Sequence, residues 1–207
     1  MIFDTLVVGP LEVNCFILGC EDTRKGVVVD AGGDPDQIIA AVKHHGLTIE
    51  QIINTHGHFD HIGANLLVSK HFDANLLIHA ADMDLLEQGA TVARAYGIKS
   101  DNSPKPDKFL TDGMEITFGS CRLKVFHTPG HTPGGCCLYI EKEKKLITGD
   151  TLFADSIGRT DFPGGSLEQL LDSVRSKLFT LPDDVAVYPG HGPATTIGHE
   201  KRHNPHF

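Results

Sequence analysis

The chain has 207 residues, with 18 Lys and Arg against 27 Asp and Glu, a formal net charge of −9, 40% hydrophobic and 22% charged residues. This length suits one domain with a real core, or two small halves sharing one. The acidic balance argues against a general nucleic-acid backbone binder, and no apolar run approaches the roughly 20 residues of a membrane span.

The start, Met1 to Val8, lacks a basic stretch and a small-residue cleavage site, so it reads as a first strand rather than a signal peptide. The five cysteines are odd in number and form no CxxC pair, which fits reduced thiols in a cytoplasmic protein.

Ile2–Val8 and Cys15–Leu18 read as strands joined through a Gly9-Pro10 turn. A charged turn, Glu21 to Gly26, leads to the apolar strand Val27-Val28-Val29, which ends in Asp30. Asp34 and Pro35 read as the N-cap and first residue of a helix that Gly46 ends. The strand Ile49–Ile53 then delivers Thr55-His56-Gly57-His58-Phe59-Asp60-His61, and a helical pattern runs from Ile62 to Lys70.

Leu76–Ile78 is a short strand, and Ala80–Tyr96 a helix broken near Gly89. The polar, proline-bearing loop Lys99–Lys108 divides the chain. A hairpin, Met114–Phe118 and Arg122–Phe126, ends in His127-Thr-Pro-Gly-His131-Thr-Pro-Gly-Gly135.

From there the chain repeats its opening: strand Cys137–Ile140, charged turn Glu141–Lys145, and strand Leu146–Gly149 ending in Asp150. After a loop, Leu152–Gly164, come the amphipathic helix Leu167–Phe179 and a strand, Val185–Tyr188, running into Pro189-Gly190-His191-Gly192. Each half therefore runs strand, charged turn, strand-Asp, helix, strand, histidine turn. Two such halves packed sheet to sheet, helices outside, give an α/β fold of the αββα sandwich kind, with polar loops at one edge. The expected domain is single, residues 1–207, with pseudo-twofold halves of roughly 1–98 and 109–207.

The chemistry gathers in His56, His58, Asp60, His61, His131, Asp150 and His191. One loop histidine means little, but three histidines and an Asp within six residues exceed what a single zinc site needs. The donors divide into two sites: His56, His58 and His131; Asp60, His61 and His191; with Asp150 able to bridge. A hydroxide between two such ions would be a strong nucleophile at neutral pH. Asp60 is thus read as both ligand and catalytic carboxylate. His and Asp donors suit two divalent ions, zinc first, with iron or manganese compatible. Asp30 is left without a ligand position and is read as an orienting or capping group. His127 is read as structural, and His199 and His203 as incidental residues of a solvated tail helix.

Thr-His-x-His-x-Asp-His, Thr-Pro-Gly-His-Thr-Pro-Gly, Thr-Gly-Asp and Pro-Gly-His-Gly together resemble the metallo-β-lactamase superfamily, from the first strand to about residue 193. That resemblance implies the αββα sandwich and the same seven metal ligands. Within the superfamily, Asp150–Phe153, Ser156–Gly165 and the tail Glu200–Pro205 look like glyoxalase II-type hydroxyacylglutathione hydrolases of a short type, without a separate C-terminal substrate domain. The implied partner is a small-molecule glutathione thioester, neither nucleic acid nor membrane, and the implied reaction is hydrolysis of S-D-lactoylglutathione. Arg159 is the candidate substrate contact; the competing reading pairs it with Asp155 or Asp161 to shape its loop. Two alternatives remain: a persulfide dioxygenase with a single iron, similar in the Gly-Arg-Thr-Asp-Phe segment, and a lactone hydrolase.

Overall fold

The computed structural model describes residues 1–207 and contains two six-stranded sheets and a small hairpin. Contacts divide the chain into two compact units: residues 1–110 with 117–122, and residues 111–116 with 123–207.

In the first unit, β1 (Ile2–Val8), β2 (Val13–Gly19), β3 (Lys25–Val29), β4 (Thr48–Ile53), β5 (Asn75–His79) and β6 (Lys108–Leu110) lie side by side in chain order. The first two pairings are antiparallel and the next three parallel. Parallel neighbours require crossovers, and α1 (Pro35–His44) and α3 (Asn65–Phe72) supply two of them.

Ile38 and Val42 of α1 and Val68 of α3 pack with Val28, Ile52 and Leu76 in one buried cluster. Strand β2 alternates Cys15 and Ile17 with Phe16 and Leu18 on its two faces, and all four are fully buried. A strand covered on both faces reads as a continuous apolar run, which is why Cys15–Leu18 shows no polar alternation.

The second sheet has the order β14 (Thr195–Thr196), β13 (Ala186–Pro189), β10 (Lys145–Gly149), β9 (Cys136–Ile140), β8 (Cys121–His127), β7 (Glu115–Phe118). Strand β10 is antiparallel to β9 and parallel to β13, as β3 is antiparallel to β2 and parallel to β4. Both parallel pairs also carry a register shift. The sequence repeat is therefore a repeat of pairing sense. A short hairpin, β11 (Leu152–Phe153) and β12 (Ser156–Ile157), fills part of the segment read as a loop. Cys137, Leu146, Val174, Leu178, Val187 and Ile197 share this unit's core.

Four expectations need correction. Asp34 does not cap α1 through its side chain; it adopts φ +46° and its carboxylate accepts from the Gly9 amide at 2.8 Å. Helix α4 (Met83–Ala95) runs unbroken through Gly89, whose missing side chain leaves room for Ile62 against the helix. The helix read over Leu167–Phe179 is α5 (Leu167–Ser173) followed by a π turn, Val174–Leu178; Ser173 is buried beside Leu170 and Val174, while Leu171 is half-buried. The tail helix α6 (Ile197–His203) is docked rather than solvated: Ile197 and Glu200 are fully buried. The five cysteines are free thiols, as expected. No helix is long and apolar enough to cross a membrane.

Candidate metal centre

The first unit places four donors on the turn that leaves β4. His56 lies in the buried bend that follows β4, His58 precedes the single helical turn α2 (Phe59–Ile62), and Asp60 and His61 lie within it. The ring centroids of His56 and His58 are 4.8 Å apart, and those of His56 and His61 4.1 Å. Nε2 of His61 lies 3.8 Å from Oδ2 of Asp60. A turn this tight forces adjacent donors together, so the sequence density of the motif becomes a spatial cluster.

Asp30, at the end of the neighbouring strand, governs the orientation of this cluster. It is fully buried, with φ +53°. Its Oδ1 accepts from the Thr55 amide at 2.7 Å, and its Oδ2 accepts from the Thr55 hydroxyl at 2.7 Å and pairs with His61 Nδ1 at 3.0 Å. With its proton given to Asp30, the Thr55 hydroxyl is left to accept from His56 Nδ1, 3.1 Å away. Both imidazoles are thereby held through Nδ1 as the tautomer whose Nε2 lone pair is available to a cation.

Sequence reasoning missed Asp82, which is also fully buried and accepts from the Gly57 amide at 2.9 Å. It fixes the backbone between His56 and His58. Its partner is a backbone amide 25 residues away, so no side-chain pattern announces it.

The second unit places two histidines around one carboxylate. Oδ2 of Asp150 lies 3.6 Å from His131 Nε2 and 3.7 Å from His191 Nε2. His131 is held through Nδ1 by the carbonyl of Arg159 at 2.7 Å, the arrangement seen for His56 and His61. Thr148 donates to the Leu152 carbonyl at 2.8 Å and closes the turn that carries Asp150.

Arg159 contributes this carbonyl, but its guanidinium is committed elsewhere. It forks onto Asp161 at 2.8 and 2.7 Å and lies 3.8 Å over the Phe162 ring. Asp155 pairs with His199 instead, at 2.6 Å. His127 is tied to the Pro133 carbonyl, as a structural histidine would be.

Every one of the seven predicted ligands belongs to a set of His and Asp groups able to hold a metal ion. Neutral imidazoles with fixed Nδ1 protons and nearby carboxylate oxygens fit a divalent cation. A family model described as "Metallo-beta-lactamase superfamily" matches residues 8–191. The chain belongs to the metallo-β-lactamase superfamily.

Other members lie close to it. A relative from Haemophilus influenzae named hydroxyacylglutathione hydrolase GloC is 36% identical, over 99% of this chain and 97% of its own. Among solved structures, BLEG-1, titled a B3 metallo-beta-lactamase, has a TM-score of 0.92 and 40% identity, covering 99% of this chain and 98% of that one. TTHA1623, solved in a di-iron-bound form, has a TM-score of 0.91 and 35% identity, covering 99% and 100%. The fold is the superfamily's αββα class, as the sequence repeat implied.

Proposed function

We propose that this metallohydrolase cleaves thioesters of the S-D-lactoylglutathione type, with the whole chain acting as one domain and the seven donors together holding two divalent ions. The observation that carries the reading is the common arrangement of His56, His61 and His131, each held through Nδ1. The GloC name of a relative 36% identical over nearly its whole length supports the substrate class.

The bound ions, zinc first or iron as in the TTHA1623 form, would supply Lewis acidity and a water acidic enough to ionise near neutral pH. The chain's own residues do the rest. His56, His58 and His131 would serve one ion, Asp60, His61 and His191 the other, and Asp150 both. Asp30 and the Arg159 carbonyl keep the rings from rotating. Asp60, whose Oδ2 lies 3.8 Å from His61 Nε2, would hold or accept a proton during attack. A thiolate leaves with little proton assistance, since a thiol's ordinary pKa is about 8.5.

The likeness to BLEG-1, a B3 metallo-beta-lactamase, favours a second reading, hydrolysis of a β-lactam amide. One experiment separates the two. Protein from metal-defined growth is analysed for metal content, then assayed with S-D-lactoylglutathione and with a chromogenic cephalosporin, before and after chelation. About two ions per chain and chelator-sensitive thioester cleavage are expected. Cephalosporin cleavage without thioester cleavage would falsify the first reading in favour of the second.

A further inference from the structure

Beside Asp60 the first unit opens a cavity of about 330 Å³. Its wall is mostly apolar, with Val8, Leu11, Val13, Phe59, Leu67 and Ile98, and has Ser100 among its polar residues. Val8 and Val13 are buried at its base, whereas Leu11 and Leu67 are 44% and 46% exposed and give it an apolar rim. Phe59 is braced by Tyr96, stacked at 5.3 Å. The charged lining groups Asp34, Lys99 and Asp101 are exposed, and the Asp34 carboxylate is already engaged by the Gly9 amide.

A mostly apolar cleft lined in part by a proposed metal ligand, Asp60, suits the part of a substrate adjoining the scissile carbonyl. A lactoyl group, short and hydroxylated, would leave most of this volume unfilled and meet hydrocarbon where it carries a hydroxyl. We propose that this cavity is an acyl subsite, and that the enzyme prefers acyl groups longer and more apolar than lactoyl, with a chain on the order of six carbons. The inference rests on the hydrolase reading above and deepens it: the thiol half stays a glutathione-like group, and the acyl half determines specificity.

The test uses metal-loaded protein and N-acetylcysteamine thioesters of acetyl, butanoyl, hexanoyl and octanoyl groups. kcat/KM should rise about fourfold per methylene up to hexanoyl, the factor expected for burying each methylene, and then level off. Leu67→Lys, a charge on the exposed rim, should reduce the gain to less than about twofold per methylene. Leu167→Lys, on an equally exposed leucine of the other unit, should leave the gain intact.

A second arm needs no turnover: calorimetric affinities for butanoate, hexanoate and octanoate should show the same dependence, lost in Leu67→Lys. A flat series in both arms, or a gain unchanged by Leu67→Lys, overturns the subsite. Chain-length dependence for the carboxylates without hydrolysis of any thioester overturns the thioester reading and leaves the subsite standing.

Discussion

Oδ2 of Asp30 lies 3.0 Å from Nδ1 of His61, and both side chains are fully excluded from solvent. A carboxylate buried this deeply is tolerated because the Thr55 amide, the Thr55 hydroxyl and the His61 ring all meet it. Asp30→Ala should remove the group that sets the His61 tautomer and strand three donors. A loss of 10–100-fold in metal affinity is expected, read by competition with a chromophoric chelator. Unfolding of the metal-free protein should become easier by about 3 kcal/mol, read from urea titrations.

Glu200 plays a comparable part in the second unit. Fully buried, it accepts from the Thr195 hydroxyl at 2.6 Å, the Asp155 amide at 3.1 Å and the Asn204 side chain at 2.8 Å. Asn204 also donates to the Ser156 carbonyl at 3.0 Å. The tail helix thereby clamps the β11–β12 hairpin, and two residues beyond that hairpin lies the Arg159 carbonyl that orients His131. Glu200→Ala should cost about 3 kcal/mol of stability, measured by thermal unfolding, and should speed proteolysis between residues 152 and 165. Unchanged cleavage in that segment would show that the clamp does not order the hairpin.

Two glycines seat the carboxylate-bearing backbone. A β-carbon on Gly32 would run into the Asp60 carbonyl, and one on Gly158 into the Asp150 carbonyl. In both cases the obstacle is main chain, so the backbone must shift. Gly32→Ala and Gly158→Ala are each expected to displace a ligand by enough to reduce kcat about 10²-fold, while circular dichroism stays near that of the parent protein.

The Arg159–Asp161 pair predicts a pH signature. The Arg159 fork holds the Asp161 carboxyl down to about 2. A folded value below the ordinary Asp value of about 3.9 means that the pair's small contribution is fully present above that value. It is lost as pH falls toward 2. Carbon-detected NMR should find Asp161 titrating near 2, and near its ordinary value in Arg159→Ala. The same variant tests whether the guanidinium serves substrate: an unchanged KM for the thioester would confine it to shaping the loop.

Much of the fold is written locally. The first strand spans Ile2–Val8 as read, and the repeat of strand, Asp, helix and histidine turn corresponds to equal pairing senses in the two sheets. The cluster of His56, His58, Asp60 and His61 is legible because on a short turn crowding in sequence is crowding in space. What escaped reading depends on distant backbone. Asp82 answers the Gly57 amide, and Glu200 answers Asp155, each across more than twenty residues. Gly89 does not break its helix, since a glycine that weakens an isolated helix can also let it approach Ile62.

Asp30 and Asp150 end equivalent strands of the repeat, yet their surroundings differ. One is sealed behind Thr55, while the other retains 13% exposure between two histidines. Duplicated backbone has thus been put to two unlike uses, and any pair of ions served by it would be unequal. Titration with zinc should give a two-step isotherm, the tighter step belonging to the more rigid donors. A half-loaded protein would then be a distinct species with its own catalytic properties.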